Sequence, residues 1–256
     1  LRALEIPEFE CLTIAFLFGW LLLTAMEKPS VEDVDEPLRS WVPATACAFG
    51  LCGSNAFHIL ATHFIPAAEA NLISYLWPVE IVGLGVVFGL FVLTLRQTSG
   101  LVLGFVGAVI LMGGGATTLS LAGIALAFAS GLSWAAYCIF RLRWKGPARF
   151  ILSRSCLLST FFCAALHLLF ESTIAPSAGA LASSAAIGLI PLALGNYVWD
   201  EGFRRGDSQL LAVLAYATPL VSAVLLVAIG LEACTLSLAA GAAMIVLAGY
   251  LARTDS

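Results

Sequence analysis

A chain of 256 residues that is 61% hydrophobic and 11% charged, with a mean hydropathy of +0.99, is too apolar to present the surface of a water-soluble domain, so its solvent is lipid. Apolar runs of membrane-spanning length fill almost the whole chain and leave no room for a soluble catalytic domain. The formal net charge of −4 comes from acidic loops, and no basic run is long enough to track a phosphate backbone, which argues against nucleic acid as a partner.

In chain order, the opening Leu1-Arg2-Ala3-Leu4-Glu5-Ile6-Pro7 is amphiphilic, has no initiator Met and lacks the basic, apolar, small-residue order of a secretory signal. A first helix preceding it is therefore expected. Nine apolar segments follow, at about 9–26, 41–62, 67–93, 99–114, 119–140, 149–170, 181–201, 208–229 and 235–252. They are too long and too apolar for barrel strands, and a helix satisfies its own backbone in lipid, so an all-α bundle is expected. The seven cysteines, Cys11, Cys47, Cys52, Cys138, Cys156, Cys163 and Cys234, form no CxxC pair and have no His at metal spacing. They read as small core residues, and no metal or cofactor is expected.

Lys and Arg fall in alternate linkers. One set holds Lys28 and Arg39; Arg96; Arg141, Arg143, Lys145 and Arg149; Arg204 and Arg205; and Arg253 in the tail, while the linkers 63–66, 115–118, 171–180 and 230–234 contain none. The positive-inside rule makes the first set and the C-terminus cytoplasmic, which puts Leu1 on the outer side.

Sliding the chain on itself by 141 residues aligns Asn55 with Asn196, Tyr75 with Tyr216 and Pro78 with Pro219. Gly104-x-x-Gly107 followed by Gly113 answers Ala240-x-x-Ala243 followed by Gly249, small residues at a spacing that lets helices approach closely. Five spans separate equivalent points, so equivalent helices cross in opposite directions, with residues 1–114 forming one inverted repeat and 115–256 the other. Inverted repeats with proline-interrupted helices in matching places point to a secondary transporter whose substrate site lies near the midplane where the halves meet. Five helices per half make ten, which agrees with one preceding the nine.

The stretches Glu69-Ala70-Asn71-Leu72-Ile73-Ser74-Tyr75-Leu76-Trp77-Pro78, Ser133-Trp134-Ala135-Ala136-Tyr137-Cys138 and Tyr216-Ala217-Thr218-Pro219 resemble those of the EamA-type drug/metabolite transporters, and within that superfamily are most similar to the YddG-type aromatic amino acid exporters. The resemblance covers essentially the whole chain. It implies ten helices, of which 1–114 would hold the second to fifth and 115–256 the sixth to tenth. It also implies cytoplasmic termini and export of aromatic amino acids and related apolar metabolites across a bacterial inner membrane by alternating access. No counterpart of that family's first helix is present to contribute a site residue.

Pro78 and Pro219 each lack an N–H and clash with the preceding turn, which should free carbonyls near Ser74 and Ala215 and make both prolines hinges or simple kinks. Tyr75, Trp77, Trp134, Tyr137, Trp199 and Tyr216 lie inside spans, away from the interfaces where such rings usually anchor. They could line a cavity that stacks on an aromatic substrate and donates hydrogen bonds, or pack helices. Asn55, His58, Asn71, Ser74 and Asn196 are polar groups at membrane depth, for which helix pairing and substrate contact both stay open. Glu80, two residues beyond Pro78, is the deepest charge and a candidate proton or ammonium site, although its repeat partner is Val221.

A carrier of nucleotide sugars or sugar phosphates is the alternative in the same fold, but it needs a buried Lys or Arg for the phosphate, and the central spans offer none beyond Arg154, which can snorkel. A membrane-embedded enzyme would need a nucleophile with a base, a metal cluster or a carboxylate pair, and His58, His63 and His167 stand in no such set. A channel would need a ring of charges or a filter. The expected partners are an aromatic or apolar amino acid and the bilayer, with a monomer as the working assumption.

Overall fold

A computed structural model of the chain describes residues 6–27, 41–111, 120–144, 147–229 and 235–252. Lys28, Arg39, Lys145 and Arg253 of the charge asymmetry, the linkers 115–118 and 230–234, residues 1–5, Gly113 and Cys234 lie outside the described residues.

The helices are α1 (Glu8–Ala25), α2 (Trp41–Ala61), α3 (Ala67–Ser74), α4 (Trp77–Val87), α5 (Leu95–Leu111), α6 (Leu121–Arg143), α7 (Ala148–Phe170), α8 (Ala178–Ile187), a π-helical turn over Gly188–Gly195, α9 (Asn196–Arg205), α10 (Ser208–Leu214), α11 (Ala217–Ala228) and α12 (Leu236–Ala252). Among the described residues these make nine apolar crossings, three of them interrupted, and no strand. Six crossings are long and apolar enough to span a bilayer by length and composition alone. The chain is an all-α, multi-pass membrane protein.

Local chemistry sets the boundaries. Pro7, Pro66 and Pro147 stand at the starts of α1, α3 and α7, where a missing N–H costs nothing. Ser177 and Asp207 cap α8 and α10 by accepting the N–H of Ala180 at 3.1 Å and of Leu210 at 3.0 Å. The third crossing stops at Val87, short of the expected 93, because Gly89 takes φ +68° and Leu90 N–H turns back to the Gly85 carbonyl.

The chain divides into two compact units. Unit 1 contains Leu1–Ala56 and Phe140–Arg204, and unit 2 contains Phe57–Ile139 and Arg205–Ser256, so each takes segments from both sequence halves. In unit 1, α1 packs on α7, α8 and the π turn. Gly188 allows this, since a Cβ there would strike the Ala15 carbonyl. Glu171 closes the end of α7 onto the start of α1, accepting the N–H groups of Phe9 and Glu10 while bonded to His167 Nδ1 at 2.9 Å. In unit 2, α5 packs along α12 with Gly107 3.1 Å from the Gly241 carbonyl by its would-be Cβ, the close approach expected from the small-residue spacing.

Small groups such as Ala44, Cys47, Ala48, Ala127, Ala135 and Cys156 are fully buried beside larger ones such as Phe16, Leu12 and Ile151, while Val87, Val92, Leu121, Phe170 and Leu236 are each more than 70% exposed. Large apolar side chains left on the outer surface are what a lipid solvent selects.

Candidate functional site

Two proline-marked interruptions lie in unit 2. At the first, α3 ends at Ser74, Leu76 N–H reaches back only to the Ile73 carbonyl at 3.0 Å, and α4 restarts at Trp77 with Pro78 in its first turn. At the second, α10 ends at Leu214, Tyr216 N–H bonds the Val213 carbonyl at 3.1 Å, and α11 restarts at Ala217 ahead of Pro219. Both are tight 3₁₀-like turns and not wide unwound loops. The carbonyl expected to be free at Ala215 is not: Thr218 N–H takes it at 3.0 Å, because the tightened turn brings the third residue on into reach. The Ser74 carbonyl faces Gly131 of α6, 3.2 Å from where that residue's Cβ would stand.

Around the first interruption the structure gathers most of the expected residues. His58 Nδ1 lies 3.2 Å from Ser74 Oγ, and Ser74 Oγ donates to the Ala127 carbonyl at 3.2 Å. Because a carbonyl only accepts, the hydroxyl proton is committed to it, and Ser74 Oγ in turn accepts from His58 Nδ1–H. The imidazole then presents Nε2 as an acceptor. Trp77 meets Trp134 edge to face, with centroids 6.3 Å apart and planes at 88°, and Trp134 stacks on Tyr137 at 5.0 Å. Tyr75, Trp77 and Trp134 are half-buried, Asn71 is exposed and Tyr137 is 1% exposed, so Tyr137 serves as the backing of the array.

Tyr216 is fully buried, its ring laid on Gly104 of α5 and tilted against Phe105. Glu80 is buried against Gly131. The remaining expected residues belong to unit 1. Asn55 Nδ2 donates to its own helix at the Leu51 carbonyl, 2.9 Å away, which is neither a bond to a neighbouring helix nor a substrate contact. Asn196 opens α9 straight after the π turn around Pro191, and Trp199 stacks on Phe203 at 5.3 Å.

Sequence reasoning missed three features. Arg141, expected in a linker, lies within α6 and is buried, bonded to Asp200 through Nε at 2.7 Å and Nη2 at 2.8 Å. The expectation of no buried cation in the spans is thus corrected, yet this guanidinium is already neutralised. Cys52 and Cys163 approach to 3.6 Å between sulfurs, in α2 and α7. Gly131, which admits Glu80, gave no signal at all. Among the described residues no group of three His, Cys, Asp or Glu side chains could hold a metal ion.

The sequence profile of the EamA-like transporter family matches residues 2–113 and 121–254. The aromatic amino acid exporter YddG of Ancylobacter novellus is 33% identical over 253 residues, covering 94% of this chain and 86% of that protein. A solved crystal structure superimposes with a TM-score of 0.84 at 28% identity, covering 97% of this chain and 88% of the other.

Proposed function

The chain belongs to the EamA-like transporter family, and on that premise we propose that it exports aromatic amino acids and related small apolar metabolites across a bacterial inner membrane by alternating access, with its C-terminus in the cytoplasm. The observation that carries the substrate class is the half-exposed Trp77–Trp134 edge-to-face pair, backed by Tyr137 and set beside the His58–Ser74 bond. An aromatic side chain gains from such rings in area and in edge-to-face geometry, and His58 Nε2 offers an acceptor to its ammonium or ring N–H. Asn71, Tyr75 and Tyr216 belong to the same reading through their places at the interruptions, Asn55 and Asn196 through the repeat, and Trp199 as an aromatic ring inside a span. Residues 1–114 and 115–256 act as inverted halves, a division supported by the two stretches that the family profile matches.

The alternative substrates, nucleotide sugars and sugar phosphates, are disfavoured by the buried cation available. Arg141 spends its bidentate face on Asp200 and leaves no unpaired charge for a phosphate.

Counterflow in proteoliposomes with Phe, Tyr, Trp, Thr and Lys tests the proposal. Phe and Trp should exchange at least about tenfold faster than Lys, whose second charge would enter an aromatic site unpaired. Equal exchange of Lys would refute an aromatic-lined site.

A further inference from the structure

Glu80 stands in the first turn of α4, inside a membrane-length crossing, and is 8% exposed. Both carboxyl oxygens are shut off from solvent, and neither has a hydrogen-bond partner among the described residues. The carboxyl occupies a notch made by Gly131 of α6, where any Cβ would collide with Oε2. A carboxylate at this depth needs a cation, and among the described residues none is bonded to it. No Lys, Arg or His occurs in α3, α4, α10, α11, α12 or residues 121–139 of α6. Elsewhere in unit 2, His58 is turned to Ser74, Arg96 lies over the Tyr250 ring and donates to its carbonyl, and neither His63 nor Arg205 bonds Glu80.

The other titratable groups on the surrounding helices are Glu69 and Tyr75 of the first proline-interrupted crossing, Tyr137 and Cys138 of α6 with Arg141 and Arg143 in its last turn, and Tyr216 of the second proline-interrupted crossing. The Tyr216 hydroxyl is itself buried, beside the backbone of Val79 and within electrostatic reach of Glu80. A neutral carboxylic acid tolerates this setting, whereas an unpaired anion does not.

We propose that Glu80 is the proton-carrying site of the transport cycle, holding a proton while sealed in the Gly131 notch and exchanging it with water when the crossing bends at Pro78. The step is Glu–COOH ⇌ Glu–COO⁻ + H⁺, with water on one side taking the proton and water on the other returning it, so no further reactant is needed. The Tyr216 hydroxyl is a donor able to stabilise the anion in between. The inference rests on the transport reading above. A zwitterionic amino acid carries no net charge, so exporting one against one imported proton moves one positive charge inward. At that stoichiometry each pH unit supports about a tenfold substrate gradient.

The purified chain in liposomes with a trapped pH dye tests this. In the wild type, Phe movement should drive protons the opposite way, and Glu80→Gln should lower the protons moved per Phe by at least about tenfold. Wild-type net Phe flux without proton movement, or an unchanged ratio in Glu80→Gln, overturns the inference and leaves the transport reading standing. A wild type that exchanges no Phe overturns that reading and this inference with it. Should Glu80→Gln fail to fold, the wild type decides alone: dicyclohexylcarbodiimide, which attacks protonated carboxyls in apolar surroundings, should give an adduct that peptide mass spectrometry places at Glu80 and that fades as the pH is raised. No adduct at Glu80 from acid to alkaline pH overturns the proposal.

Discussion

Arg141 and Asp200, 59 residues apart in the chain, meet as a bidentate pair at 2.7 and 2.8 Å with each side chain 1% exposed. Arg204 approaches the same carboxylate at 3.2 Å and also reaches Glu201 at 3.2 Å. Breaking one partner leaves an uncompensated buried charge, which costs about 3–5 kcal/mol, while replacing both by apolar groups of similar volume is far cheaper. Asp200→Ala should therefore unfold at a much lower temperature in detergent, and the pair Arg141→Met with Asp200→Leu should recover most of the loss. Wild-type stability in Asp200→Ala would show that the pair contributes nothing.

That pair also marks where sequence reasoning stops. Hydropathy ends the fifth segment at 140, before the first Arg, because a charge alone argues for water, and only a partner far along the chain reverses the argument. The helix runs on to Arg143. Within an apolar chain hydropathy also fails to tell helix from loop, which is why it carries the third crossing to 93 although Gly89 ends it earlier. The interruptions themselves are legible, since Pro78 and Pro219 announce them chemically. The π turn around Pro191 is not, because its repeat counterpart, Gly50, lies in the uninterrupted α2. Glu80 is conspicuous as a charge at depth, but the notch that holds it depends on Gly131, a residue type too common in membrane helices to stand out.

The aromatic array makes its own demand on substrate choice. Removing Trp77 takes away the edge-to-face partner of Trp134, worth about 0.5–1.5 kcal/mol beyond area, so Trp77→Ala should raise the KM for Phe roughly 2–10-fold. The KM for Thr should hardly move. Tyr137→Phe, which keeps the buried ring stacked on Trp134, should transport as the wild type does; concentration-dependent counterflow of Phe and Thr in the three proteins decides.

Orientation follows from the alternation of basic linkers. Ala175, in the exposed segment after α7, belongs to a linker without Lys or Arg, whereas Arg143 is exposed at the end of α6 among the basic ones. A cysteine at 175 should react with a membrane-impermeant maleimide in intact cells, and one at 143 only after permeabilisation. The reverse pattern would place the C-terminus outside.

Pro78 and Pro219 stand at matched points of the two interrupted crossings, each just past a tight turn in which α-helical hydrogen bonding lapses. Alanine at either position restores an N–H. In Pro78→Ala that donor can return to the Ser74 carbonyl and let α3 and α4 run on as one straight helix. In Pro219→Ala it competes with Thr218 for the Ala215 carbonyl, so the second crossing should straighten less completely. If the bends at Pro78 and Pro219 serve as the hinges of the proposed alternating-access cycle, turnover should fall in both variants, more in Pro78→Ala. If the two halves are inverted, the conformations favoured by the two substitutions face opposite sides of the membrane. Cysteine accessibility at paired positions near the two mouths, measured in each variant, reads that bias directly. Unchanged transport together with unchanged accessibility on both sides would reduce the prolines to packing features and remove the hinge from the mechanism.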